Sequence, residues 1–102
     1  MTGESDLNDV VREVIKLNAS YNSLGGALGL LPADLNAIKS RYDQDLKQAL
    51  NEVILAWLRQ NYDTKRYGLP TWRRLVEAVD NPAGGDNHAL AKTIASSHTA
   101  GT

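Results

Sequence analysis

The chain has 102 residues, a net charge of −1 and no cysteine, and 42% of its residues are hydrophobic. This length is enough for one domain with its own core, and the hydrophobic fraction is too high for a disordered segment. The absence of cysteine excludes disulfides, thiolate metal sites and a cysteine nucleophile. The near-neutral charge provides no strong field for nucleic acid or an anionic membrane.

Helical periodicity dominates the first half of the chain. Apolar residues repeat at i, i+3, i+4, i+7 and i+8 from Leu7 to Ile15, which predicts a first helix. Two shorter helices are predicted next, one with Tyr21 and Leu28 on the same face and one that begins near Pro32. Proline suits a first helical turn because the N–H that it lacks has no intrahelical partner there.

The second half of the chain contains the longest apolar stripe. It covers residues 46–58 and predicts a helix over residues 43–61. Two further helices are predicted, one beginning at Trp72 with Thr71 as its cap and one around Leu90 with Asn87 as its cap. No segment alternates with period two, so no strand is predicted. The sequence therefore predicts an all-α bundle of six short helices.

Three glycines stand in the leucine-rich stretch SLGGALGLLPADL. A phosphate-binding loop needs a strand before its glycines and a Gly-Lys-Ser/Thr after them, and neither is present. Packing explains two of the three. We expect Gly25 to admit a neighbouring helix and Gly29 to end its helix in the left-handed conformation. Gly26 is expected on a solvent-facing turn.

A DNA-binding helix-turn-helix is the alternative for the same stretch. Gly25, Gly29 and Leu35 match the small–glycine–apolar spacing of that motif. The recognition helix would begin with an apolar turn followed by Asp34. These residues offer no bidentate donor for a base edge, and the carboxylate repels phosphate.

Several segments together resemble a death domain. The segment SYNSLGGALGLLPADLNAIKSRY is similar to its second and third helices, LNEVILAWL to its fourth, and PTWRRLVEAVDNPAGGDNHALAKTIASSH to its fifth and sixth. The resemblance covers residues 7–98. The sequence departs from the family at Tyr21, where many members have tryptophan, and at Ala49, where many have a buried cysteine. The Arg-x-Asp-Leu signature of the death-effector subfamily is missing from the last helix.

The resemblance implies a six-helix antiparallel Greek-key bundle over residues 6–98, with residues 1–5 and 99–102 as frayed ends. It implies a non-catalytic cytoplasmic module that binds other death domains, through self-association or with a related adaptor or receptor. Apoptotic and innate-immune signalling complexes are the expected setting. No cofactor, nucleic acid or direct membrane contact is expected. Family members associate through unlike surfaces: the first and fourth helices against the second and third, the corner between the fourth and fifth helices, and the third helix against nearby loops.

Charged residues supply the candidate binding surface. Arg73 and Arg74 lie off the apolar stripe of their helix, so both are expected to face solvent near the preceding basic loop. The first helix is the expected acidic complement on another molecule. An ordinary solvated surface is the alternative interpretation. The candidate protein-binding residues are Asp6, Asp9, Glu13, Lys65, Arg66, Arg73 and Arg74.

Catalytic and metal-binding residues are not indicated. His88 and His98 are ten residues apart and are interpreted as surface groups rather than as metal ligands. Asp43 and Asp45 form a possible carboxylate pair, but their place at a helix N-terminus favours interaction with the helix dipole. No serine has a histidine–acid partner in a recognisable motif, so an enzyme has no positive support.

The aromatic residues are assigned to packing first. Trp57 and Trp72 both lie on apolar stripes and are predicted to be core residues. Tyr62 and Tyr67 flank the basic loop and are expected to be partly exposed. Two interpretations stay open for them, because tyrosine is enriched at protein interfaces but the pair may equally cover the corner of the bundle.

Overall fold

The computed structural model describes residues 7–68, 70–82, 84 and 86–98 of the chain. Its regular structure there is helical, apart from one isolated antiparallel bridge between Leu30 and Tyr62. The all-α prediction is therefore confirmed. The predicted frayed ends and Asp6 lie outside the described residues. The elements are α1 Leu7–Val14, a 3₁₀ helix Ile15–Ser20, α2 Tyr21–Leu28, α3 Pro32–Arg41, α4 Leu46–Leu58, α5 Thr64–Tyr67, α6 Trp72–Asp80 and α7 His88–His98.

The helix starts follow local capping chemistry. The Thr71 hydroxyl accepts a 3.1 Å hydrogen bond from the Arg74 amide, and the Asn87 side chain accepts one of 3.0 Å from the Leu90 amide. Both predicted caps are confirmed. The Asp45 carboxylate accepts a 3.1 Å bond from the Gln48 amide. This cap makes α4 begin at Leu46, later than residue 43, where the sequence predicts its start.

Two local structures differ from the sequence-based prediction. The first apolar stripe continues beyond α1 as a 3₁₀ helix, in which Leu17 leaves helical geometry with φ −97° and ψ 19°. The segment predicted as a basic loop contains the single-turn helix α5. The Asp63 carboxylate caps it by accepting from the Lys65 and Arg66 amides at 3.1 Å and 3.3 Å. A capped turn of four residues has too few positions to show a periodic pattern.

Helix α4 lies at the centre of the packing. The 3₁₀ helix, α1, α2 and α3 all pack on it, while α6 packs on α2 and α7. Trp57 is 1% exposed, so its predicted core position is confirmed. Trp72 is only partly buried and lies against the edge of the core. No helix among the described residues is both long enough and apolar enough to span a bilayer.

The glycine-rich stretch marks a close contact between helices. A Cβ on Gly25 would lie 2.6 Å from Leu35 Cδ2 and 3.1 Å from Val53 Cγ1, so α3 and α4 approach α2 at its bare backbone. Gly29 ends α2 with φ 103°, in the left-handed region that glycine tolerates best. A Cβ on Gly26 would meet no atom within 4 Å. The predicted roles of all three glycines are confirmed.

Candidate protein-interaction surface

Three cations stand exposed around α5 and the start of α6. They are Lys65, Arg66 and Arg73, and we call them the basic corner. Within the described part of the chain, no carboxylate forms an ion pair with any of them. Their placement follows from the two caps, because Asp63 fixes α5 and Thr71 fixes α6. The basic corner is therefore a group of exposed cations on capped helices that have no ion-pair partner among the described residues.

Arg74 does not belong to this exposed set, so the prediction that it faces solvent is wrong. Its side chain is 23% exposed. Its Nη2 donates a 2.8 Å hydrogen bond to the Ala27 carbonyl oxygen, and its Nη1 donates one of 3.2 Å to Glu77 Oε2. Ala27 lies in the last turn of α2, where carbonyls lack intrahelical partners and attract cations. Arg74 thus joins α6 to α2.

The two tyrosines hold the basic corner against the end of α2. A Cβ on Gly29 would lie 2.7 Å from the Tyr67 ring, so the ring rests on the glycine backbone. The rings of Tyr62 and Tyr67 meet edge to face, with centroids 6.4 Å apart. The guanidinium carbon of Arg66 lies 5.4 Å from the Tyr67 ring centroid, within cation–π range. The tyrosines therefore cover this corner, which is one of the two interpretations that the sequence left open.

The Tyr62 hydroxyl closes this cluster. It donates a 2.8 Å hydrogen bond to the Gly68 carbonyl oxygen. Burial raises the pKa of the hydroxyl above its ordinary value of 10.0, and the positive charge of Arg74 acts in the opposite direction. The phenol therefore stays protonated at neutral pH and acts as a fixed donor. This bond ties the end of α5 to the residues that follow α4.

The predicted acidic complement lies elsewhere in the bundle. Asp6 is outside the described residues, Asp9 is exposed, and Glu13 is partly buried and already engaged in an interaction. Helix α1 packs mainly on α4 and the 3₁₀ helix, whereas α6 packs on α2 and α7. The structure therefore places the exposed basic candidates on α5 and α6, whereas the α1 carboxylates belong to a helix that packs on α4 and the 3₁₀ helix.

A groove between α3 and α4 was not anticipated from the sequence. It encloses about 180 Å³, with Ile38, Leu55 and Ala56 as apolar lining and Asp34 and Glu52 as carboxylates. Arg59 also lines it. The sequence places Asp34 at the start of the third predicted helix and assigns no role to Glu52. Both residues lie off the apolar stripe of their helix. That position in the sequence does not show that the two helices flank one groove.

The histidine and aspartate candidates have surface and capping positions in the described residues. No group of three or more histidine, aspartate or glutamate side chains in this part of the chain is arranged to hold a metal ion. The ring Nδ1 of His88 lies 2.8 Å from Asp80 Oδ1 at the surface, with the histidine side chain 82% exposed. The side chain of His98 lies outside the described set. Asp45 acts as a helix cap.

The leading turn of α3 bears on the DNA-binding alternative. Leu31 is 54% exposed, and Pro32 and Ala33 are exposed beside it. None of these side chains carries a hydrogen-bond donor, so the turn has no group for a base edge. Comparisons with known protein families, with curated proteins and with solved structures find no match to this chain.

Proposed function

We propose that this chain is a death-fold interaction module that binds other death domains and has no catalytic role. Its partners are further copies of itself or a related adaptor or receptor, in cytoplasmic signalling assemblies of the apoptotic or innate-immune type. One observation carries the proposal: the basic corner presents three exposed cations that form no ion pair with a described carboxylate. The resemblance to death domains supplies the class of partner.

The helical framework supports the resemblance. Six α-helices of eight or more residues follow one another across the described part of residues 7–98, which is the number of helices in the six-helix bundle. Trp57 lies in the core, as expected for the Leu…Trp-Leu ending of the fourth helix. Gly25 and Gly29 serve the tight α2–α3 connection that the Leu-Gly and Leu-Gly-Leu elements provide.

Electrostatics defines the kind of association to expect. The chain has a net charge of −1, so three cations at one corner are a local feature of an acidic protein. Exposed ion pairs contribute only about 0–1 kcal/mol each. Binding through this corner is therefore weak for a single pair of domains and sensitive to salt. Contacts between unlike surfaces leave one binding surface free at each end of a complex. Further copies can therefore add to it.

A charge reversal with a matched control tests the proposal. We expect Arg73→Glu to weaken self-association, measured by size-exclusion chromatography with light scattering over a range of protein concentrations. Lys92→Glu makes the same change in charge at an exposed position of α7, a helix that the expected family contacts do not use. It should associate like the wild type. Circular dichroism verifies that both variants are folded.

The salt dependence of association and a test of DNA binding give the results that would contradict the proposal. Raising the salt concentration should weaken the wild-type association, because the ion pairs are screened. Association that survives both Arg73→Glu and high salt contradicts the use of the basic corner. A mobility shift of duplex DNA by the wild-type chain, lost at high salt and absent in Arg73→Glu, favours the helix-turn-helix alternative instead.

A further inference from the structure

We propose that the α3–α4 groove accepts the basic corner of a second copy of this chain, with Arg66 entering beside Asp34 and Glu52. This inference rests on the proposed function, because it names the complementary surface for the same self-association. The groove replaces α1 as the acidic complement. Of the three carboxylates predicted there, Asp6 lies outside the described residues and Glu13 is already engaged in an interaction. Only Asp9 is described, exposed and without an interaction of its own.

The groove has the size and lining for one long side chain. Its volume is about 180 Å³, and it is open to solvent, so a side chain can enter it from outside. Ile38, Leu55 and Ala56 provide partly buried apolar contact, against which an aliphatic stem can pack. A long cationic side chain combines such a stem with a charged end.

The carboxylate of Glu52 is held in place but not neutralised. Its Oε1 accepts a 3.2 Å hydrogen bond from the Tyr42 hydroxyl and one of 3.3 Å from Gln48 Nε2. Both donors are uncharged, and no described donor reaches its Oε2. This geometry fixes the direction of the carboxylate and leaves one oxygen for a cation from outside.

The balance of charge around the groove favours a cation. No lysine or arginine among the described residues forms an ion pair with Asp34 or Glu52. Arg59 also lines the groove, but it is already engaged in an interaction. Two carboxylates and one guanidinium leave a charge of −1 on the lining. The basic corner carries the opposite sign, because its three cations outnumber the nearby Asp63 carboxylate.

Arg66 is the best-suited residue of the basic corner. Its guanidinium lies over the ring of Tyr67, which is itself fixed against Gly29. The ring therefore supports the exposed guanidinium of Arg66 at the surface, where its charge can meet the carboxylates of the groove. A planar guanidinium also bonds carboxylates through two donors, which a lysine ammonium does not. Lys65 and Arg73 flank this contact.

A charge exchange tests the pairing. We expect Arg66→Glu and Glu52→Lys each to lower the self-association constant by at least about tenfold, as loss of a charged partner at an interface does. The double variant Glu52→Lys/Arg66→Glu restores opposite charges across the interface and should recover association. Asp9→Lys is the matched control on α1 and should associate like the wild type. Sedimentation velocity measures all four variants beside the wild type.

A second variant separates binding from folding. Glu52→Lys loses the bonds from Tyr42 and Gln48, so its fold is checked by circular dichroism. The isosteric variant Asp34→Asn/Glu52→Gln keeps an acceptor oxygen for those donors and removes both charges. This variant should also lose self-association, and its melting temperature should equal that of the wild type.

Three results overturn the groove assignment: a wild-type chain that stays monomeric, association unchanged in both Glu52→Lys and the isosteric variant, or association lost in Asp9→Lys alone. The proposed function fails on a different result, association that Arg73→Glu and high salt both leave intact.

Discussion

Arg74 donates a 2.8 Å hydrogen bond from Nη2 to the backbone carbonyl oxygen of Ala27, across 47 residues of the chain. The bond joins the first turn of α6 to the last turn of α2. It gives a partner to a carbonyl that a helix end leaves without one. The neighbouring Arg73 is exposed and has no such contact. Two adjacent arginines thus have different physical roles, one in stability and one at the surface.

Alanine substitution should separate these roles. We expect Arg74→Ala to lower the free energy of unfolding by about 1–2 kcal/mol, because it removes a charged donor from a partly buried carbonyl. Arg73→Ala should change it by less than about 0.5 kcal/mol, as exposed substitutions do. Urea denaturation followed by circular dichroism measures both. Equal effects would contradict the structural role of Arg74.

The glycine pair in α2 offers a second matched comparison. Gly25→Val should destabilise the fold by about 1–3 kcal/mol, since overpacking forces neighbouring groups to move. The groups that must move here are Leu35 Cδ2 and Val53 Cγ1. Gly26→Val places its side chain in open space and should be nearly neutral. Thermal melts decide between them, and a larger loss at Gly26 would refute the close approach of the helices.

Trp57 should dominate the stability of the core. Its side chain is 1% exposed at the centre of α4 packing. Trp57→Ala should cost about 3–5 kcal/mol, the range for large-to-small changes in a core. Leu31→Ala is the exposed control, because Leu31 is 54% exposed, and it should change stability little. Urea midpoints that fail to separate the two variants would place Trp57 outside the core.

Stability should fall at alkaline pH through Tyr62. Burial raises the pKa of its hydroxyl in the folded chain above the ordinary value of 10.0. The folded chain therefore holds this proton to higher pH than the unfolded chain. The resulting stabilisation is complete below about pH 10 and is lost as pH rises through the folded-state pKa.

Tyr62→Phe provides the comparison for this prediction. Its free energy of unfolding should be lower than that of the wild type by about 0.5–1.5 kcal/mol at neutral pH, because the hydrogen bond to the Gly68 carbonyl is lost. The difference should shrink above about pH 10, where only the wild type loses the Tyr62 contribution. Denaturation curves at several pH values measure it, and a constant difference would contradict the prediction.

The sequence by itself determined the features that depend on neighbouring residues. Thr71 and Asn87 cap their helices because each side chain reaches an amide three residues ahead. Gly29 ends α2 because it adopts a positive φ without a Cβ penalty. The apolar stripe of α4 identifies Trp57 as buried because helical spacing places its members on one face. All of these follow from short-range geometry.

Only the tertiary structure decided which distant residues meet. Arg74 lies off the apolar stripe of α6, but it is partly buried because α2 ends beside it. Tyr67 covers Gly29, a residue far away in the chain, and so fixes Arg66 above its ring. The groove arises because Asp34 and Glu52 come together from two helices. The periodicity of apolar side chains identifies the buried face of each helix. The positions of different helices relative to one another depend instead on packing across the whole core.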